Sequence, residues 1–119
     1  MRILSKVLVI LLAAVFTPGS FSPLDLTAHA EPAALTIQIS VKNHHFQPAE
    51  IHAPANTPIM LRVKNQDSTP MEFESVTLRV EKVVVGNGEG LMRIRPLAAG
   101  RYEFFDDFNP DTRGALVVQ

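Results

Sequence analysis

The sequence predicts an all-β protein, a Greek-key β-sandwich of seven to eight strands. Three observations carry this. Short runs between residues 35 and 118 alternate apolar and polar residues with period two. Proline, glycine and asparagine punctuate those runs about every ten residues. No stretch beyond residue 30 shows a helical period. Many short, evenly spaced strands are the signature of a sandwich; a small closed barrel would read much the same way.

The elements follow in order. Val7–Phe16 is an unbroken apolar run after Arg2 and Lys6, and Ala28-His29-Ala30 offers small residues where a signal peptidase cuts. The expectation is an export signal over 1–30 and one domain over 31–119. The apolar run is too short for a bilayer, which needs about 20 residues. "LTIQISVK", 35–42, sets Leu35, Ile37, Ile39 and Val41 against polar neighbours and reads as a half-buried strand. Pro48, Pro54 and Pro58 bracket a short strand at 50–53. "IMLRVKN", 59–65, alternates again, and "QDST" turns before "MEFES", 71–75. Residues 78–85 give one or two short strands, "GNGEG" a hairpin turn, and "LMRIRPL" a strand that stops at Pro96. "RYEFF" is a core strand, "DDFNPDT" the loop after it, and "GALVVQ" the closing strand. Alternation puts at least two of Phe104, Phe105 and Phe108 in the core.

Composition excludes several function classes. The predicted mature domain has 9 Lys and Arg against 11 Asp and Glu, a net charge of −2. Nucleic acid, which demands a basic face, is not an expected partner. There is no cysteine, so thiol catalysis, disulfides and a lipid-modified cysteine are all excluded. No serine lies in a nucleophile elbow and no glycine-rich phosphate loop occurs, so an enzyme is not expected.

Candidate ligands for a metal ion are oxygen-rich. In a strand over 71–75, Glu72 and Glu74 share one face and lie about 6.5–7 Å apart, close enough to converge on one cation. On its own the pair reads more simply as two solvated glutamates. His44 and His45 point opposite ways in extended chain, so at most one serves a given site; His52 shares a face with Glu50. Asp107-x-Asn109-x-Asp111 begins like a calcium loop, but Thr112 stands where glycine is needed and Val118 where glutamate is. That excludes an EF-hand and leaves a looser oxygen site open.

Taken together, "F46-x-P48-x-x-I51", "P54-A-N-T" and "N65-x-D67-S-x-P70" resemble the first half of a cupredoxin. "G100-x-Y102-x-F104" and "G114-x-L116-V117-V118" resemble its second half. "FES" at 73–75, "EKVV" at 81–84, "PLAAGRYEFFDDF" and "PDT" are similar to the EfeO-type cupredoxin-like family. The resemblance implies a cupredoxin-like sandwich with a metal end formed by loops. It sets Met71 near the first histidine of a blue-copper site, Asp106 at its cysteine, Asn109 at its second histidine and Thr112 or Arg113 at its methionine. Without thiolate no type 1 copper centre forms, which excludes one-electron transfer through one. It further implies an exported, periplasmic protein that binds Fe(III) or Cu(II) as an accessory of bacterial iron uptake. An iron permease in the membrane, or other periplasmic uptake components, would be its partners. The expected ligands are Glu72, Glu74, Asp106 and Asp107, with His44 and Asp111 as weaker candidates. The alternative is a metal-free cupredoxin-like interaction domain. A metal oxidase has little support, because the thiolate that usually carries the electron is absent.

Overall fold

A computed structural model describes residue 14, residues 18–20 and residues 33–119. The expected export signal over 1–30 lies outside the described residues apart from those four. One compact unit runs from Glu31 to Gln119. It has nine strands: β1 (Leu35–Lys42), β2 (His45–Gln47), β3 (Glu50–Ala53), β4 (Ile59–Asn65), β5 (Met71–Ser75), β6 (Val80–Val84), β7 (Glu89–Ile94), β8 (Gly100–Asp106) and β9 (Asn109–Val118). Among the described residues there is no helix.

The strands form two sheets. One has the order β2-β1-β4-β7 and the other β3-β9-β8-β5-β6. β1 runs parallel to β4 and β3 parallel to β9, while every other pairing is antiparallel. The chain crosses between sheets after β2, β3, β4, β6 and β7, as a Greek-key sandwich requires. The inner faces carry the predicted alternation. Ile59, Leu61 and Val63 of β4 are buried, and so are Ile39, Val41, Ile51, Phe73, Ile94, Leu116 and Val118. Burying each such side chain contributes roughly 1.5–3 kcal/mol, which stands in for the missing disulfides. Phe46, Phe73 and Phe104 meet at the centre, with ring centroids 4.9–6.1 Å apart in edge and tilted contacts.

Two differences from the sequence reading matter for the site. The segment after Lys42 is a two-residue hairpin rather than extended chain. Asn43 and His44 both take the left-handed conformation (φ 51° and 58°), and β2 returns along β1. The presumed loop "DDFNPDT" also shrinks to a turn of Asp107 and Phe108, because Asp106 pairs directly with Asn109. The next pair on the ladder is Phe105 with Arg113, so Pro110, Asp111 and Thr112 have no partner on β8 and form a bulge. Of the three phenylalanines nearby, Phe104 alone is core. Phe105 faces outward, half-buried, and Phe108 at the turn is 50% exposed. The turn flips the alternation that would have buried a second ring.

The resembling motifs turn out to be fold staples. Asn65 is buried, and its side-chain amide donates to the carbonyls of Thr69 (2.8 Å), Val84 and Val85 (both 3.3 Å). Its side-chain oxygen accepts from the Asp67 N–H at 3.1 Å. Asp67 in turn accepts from the N–H groups of Asn43 (2.7 Å) and His44 (3.0 Å), bracing the left-handed hairpin. Those two bonds, and the histidines nearby, hold the Asp67 carboxyl below its ordinary range despite partial loss of hydration. The Tyr102 hydroxyl donates to the Ala98 carbonyl at 2.8 Å, the tyrosine corner of Greek-key sandwiches. Ser75 of "FES" donates to the Glu103 carbonyl at 2.6 Å and accepts from the Leu78 N–H, closing the turn after β5.

Candidate metal centre

β5 has the burial alternation its sequence predicts. Met71, Phe73 and Ser75 point inward, and Glu72 and Glu74 point outward. The Asp107 N–H donates to the Glu72 carbonyl at 2.9 Å, which pins the β8–β9 turn beside β5. As a result one carboxylate oxygen from each of Glu72, Glu74 and Asp107 lies within 4.8 Å of the others. Carboxylate oxygens bound to one transition-metal ion at about 2.0–2.2 Å are at most about 4.4 Å apart, so side-chain rotations that draw these oxygens slightly closer would complete a site. Three of the expected ligands are thus brought together.

Sequence reasoning missed a fourth acid in this cluster. Glu81 on β6 pairs directly with Glu74. Its signal was the alternation of β6, but placing it opposite Glu74 needs the hairpin register. The crowding disfavours ionisation of the group. The Glu72 carboxyl is raised above its ordinary range, first by a side-chain hydrogen bond with Glu81, then by lost hydration and by the charges of Glu81, Asp107 and Glu74. Glu74 is raised by lost hydration, then by the charges of Asp107 and Glu81. A cation among them would relieve this repulsion.

Asp106 does not join the cluster. It is 0% exposed. Its Oδ1 accepts from the Glu72 N–H at 2.9 Å and the Phe108 N–H at 3.0 Å, and its Oδ2 from the Asn109 side-chain amide at 3.1 Å. The structure places Asp106, one of the expected ligands, apart from the three-carboxylate group, with its oxygens bracing β5 to the turn. The cause is alternation continued two residues past Phe104, which turns Asp106 inward. The positions matched above to the blue-copper cysteine and second histidine are hydrogen-bonded to each other. Met71, matched to the first histidine, is 2% exposed and packed in the core.

His44 and Asp111 lie elsewhere. His44 Nδ1 is 3.8 Å from Asp67 Oδ2, and the His44 carbonyl accepts from the Thr112 hydroxyl at 2.5 Å. Asp111 is exposed on the bulge, and both residues border a separate shallow depression with Phe108 and Pro110. Neither belongs to the three-carboxylate group. His52 does share a face with Glu50, at 3.4 Å.

The donors fit a hard or borderline cation and not a type 1 copper centre, because the chain has no cysteine to supply thiolate. A Greek-key sandwich of this strand order, with no thiolate donor, defines a cupredoxin-like architecture. Residues 7–118 match the family described as a cupredoxin-like domain, and the chain belongs to that family. The uncharacterized protein RP394 of Rickettsia prowazekii (strain Madrid E) is 37% identical over 84 residues, 71% of this chain and 67% of that protein. Among solved structures, the metal-binding domain of the Cu(I)-exporting P-type ATPase CopA of Streptococcus pneumoniae D39, determined with Cu(I), superposes with a TM-score of 0.64 at 18% identity, covering 76% of this chain and 91% of that one. Auracyanin A, a blue copper protein from Chloroflexus aurantiacus, superposes with a TM-score of 0.62 at 17% identity, covering 73% and 100%. At these identities the two structures establish the shared fold. Neither the family match nor these neighbours indicates a catalytic family.

Proposed function

We propose that the protein is an exported, periplasmic metal carrier of the EfeO-type cupredoxin-like group. It takes Cu(II) or Fe(III) on Glu72, Glu74 and Asp107 and passes the ion to the membrane permease or other components of an iron-uptake system. The observation that carries this reading is the meeting of three outward carboxylates within 4.8 Å. Copper-binding neighbours of the same fold support a metal ion as cargo. The donor set favours oxidised ions, since Cu(I) prefers thiolate and thioether. Export rests on the apolar run and the small residues at 28–30. Binding and release need no chemistry beyond ligand exchange.

Calorimetric titration of the metal-free protein tests it. Cu(II) or Fe(III) binds at a one-to-one ratio, and Cu(I) does not compete. Glu74→Gln combined with Asp107→Asn weakens binding by at least about tenfold, the scale on which even outer partners of a metal ligand act. No binding of either oxidised ion, or unchanged binding in the double variant, removes the proposal.

A further inference from the structure

The outer face of the five-stranded sheet carries a second feature beside the carboxylates. Glu81 pairs with Glu74, Glu74 with Phe105, and Phe105 with Arg113. These four residues form one row across β6, β5, β8 and β9, three strand spacings or about 14 Å long. One end of the row is anionic, the middle is aromatic and the other end is cationic.

The cationic end opens into a groove of about 570 Å³, within the usual size for a small-molecule site. Phe105, Val76 and Ala49 give it apolar walls, and Arg101, Arg113, Glu50 and Glu103 give it charge. Arg101 is committed: its guanidinium lies 2.9 Å from Glu50 and 3.9 Å from Glu103. Arg113 is in none of the ion pairs among the described residues. Its guanidinium stands over the Phe105 ring, 5.9 Å from the centroid. That contact stacks the guanidinium on the ring and leaves it without a carboxylate partner, because both glutamates of the groove face Arg101. A planar guanidinium held this way matches a carboxylate with two parallel hydrogen bonds.

We propose that this groove binds a small organic carboxylate with an apolar body, the carboxylate on Arg113 and the body against Phe105 and Val76. A ligand there lies one strand from Glu74. A hydroxycarboxylate would therefore keep a donor for an ion on Glu72, Glu74 and Asp107, and the metal would arrive as its chelate. This last step rests on the metal-binding reading above, whereas the groove stands on its own geometry.

Salicylate is a suitable probe, followed by amide NMR of the metal-free protein. Saturable shifts are expected at Val76, Thr77, Phe105, Arg113 and Gly114. Arg113→Gln weakens salicylate at least tenfold and leaves Cu(II) affinity unchanged, while Arg113→Lys, which keeps the charge but not the fork, falls between. Citrate, with more charge and no apolar body, binds more weakly than salicylate. With Cu(II) loaded, salicylate binds at least tenfold tighter. Absence of saturable shifts, shifts confined to another face, or equal binding by Arg113→Gln overturns the groove. Salicylate binding that Cu(II) does not strengthen overturns the chelate step and upholds the groove. Failure of Cu(II) and Fe(III) themselves overturns the metal reading instead, and the groove is then decided by the first titration.

Discussion

Replacing Asp106 with alanine removes one acceptor group from three donors at once. The Glu72 and Phe108 N–H groups lose Oδ1, and the Asn109 amide loses Oδ2. A hydrogen bond to a charged group is worth about 1.5–3 kcal/mol, so three of them bound the loss at about 4.5–9 kcal/mol. Phe108 and Asn109 are not fully buried, so water can replace part of what they lose. That leaves about 3–5 kcal/mol, a large share of the 5–15 kcal/mol typical of a domain. In a domain of this size each kcal/mol moves the melting midpoint by roughly 4–8 °C, so Asp106→Ala should melt at least about 12 °C lower. Asp106→Asn is the gentler test. Its remaining oxygen serves both backbone donors, and the Asn109 amide can rotate to accept from the new NH₂ group. The cost falls to about 1–2 kcal/mol. Circular dichroism melts measure stability, and a Cu(II) titration of Asp106→Asn measures the site. Binding should persist within a few-fold. A folded Asp106→Asn that no longer binds metal, or an Asp106→Ala as stable as the parent, would refute the assignment of Asp106 as a brace.

Three further outcomes are expected. Asp67→Asn keeps one of the two oxygens that accept from Asn43 and His44 and should cost about 1 kcal/mol in a urea melt at neutral pH. Because the Asp67 carboxyl is lowered in the fold, its contribution is present above the unfolded value near 3.8 and fades as pH falls through the folded one; the gap between the two proteins should close in acid. Glu72 and Glu74 have the opposite sign. Their carboxyls are raised from 4.5, so the metal-free protein loses stability as pH climbs through and above that value, and Glu72→Gln should melt higher than the parent at neutral pH but not at pH 4 or below. Gly114→Ala would set a Cβ 2.4 Å from the Phe104 ring and 2.7 Å from the Ala49 carbonyl, and overpacking of that kind costs about 1–3 kcal/mol in a chemical melt.

Much of the fold was legible because period two is a local signal. β1 and β4 fall on the residues their alternation marks, β3 on the stretch its flanking prolines mark, and the outward placing of Glu72 and Glu74 follows from alternation too. β2 was not legible, since three residues after a left-handed pair carry no periodicity of their own. The inward turn of Asp106 was within reach. Counting on by two from buried Phe104 arrives at it, but three acids and an asparagine beside a proline look like a loop. Phe108 and Glu81 depended on where a turn falls and how a hairpin is registered, and those are set by pairing between distant segments. The motifs that carried the cupredoxin resemblance named the right fold while pointing at residues whose work is structural: Asn65, Ser75 and Tyr102 each close a turn or a corner.

The Asp106 brace also bears on where such a domain can fold. Small exported domains commonly lean on sulfur–sulfur bonds, which tie their folding to an oxidising compartment. Here the links between β5, the β8–β9 turn and the core are a carboxylate with three donors and three phenylalanine rings. None of these responds to thiols or oxidants. The domain therefore reaches the same structure in reducing and oxidising surroundings, and the sulfur it offers to an oxidant is confined to the thioethers of its methionines.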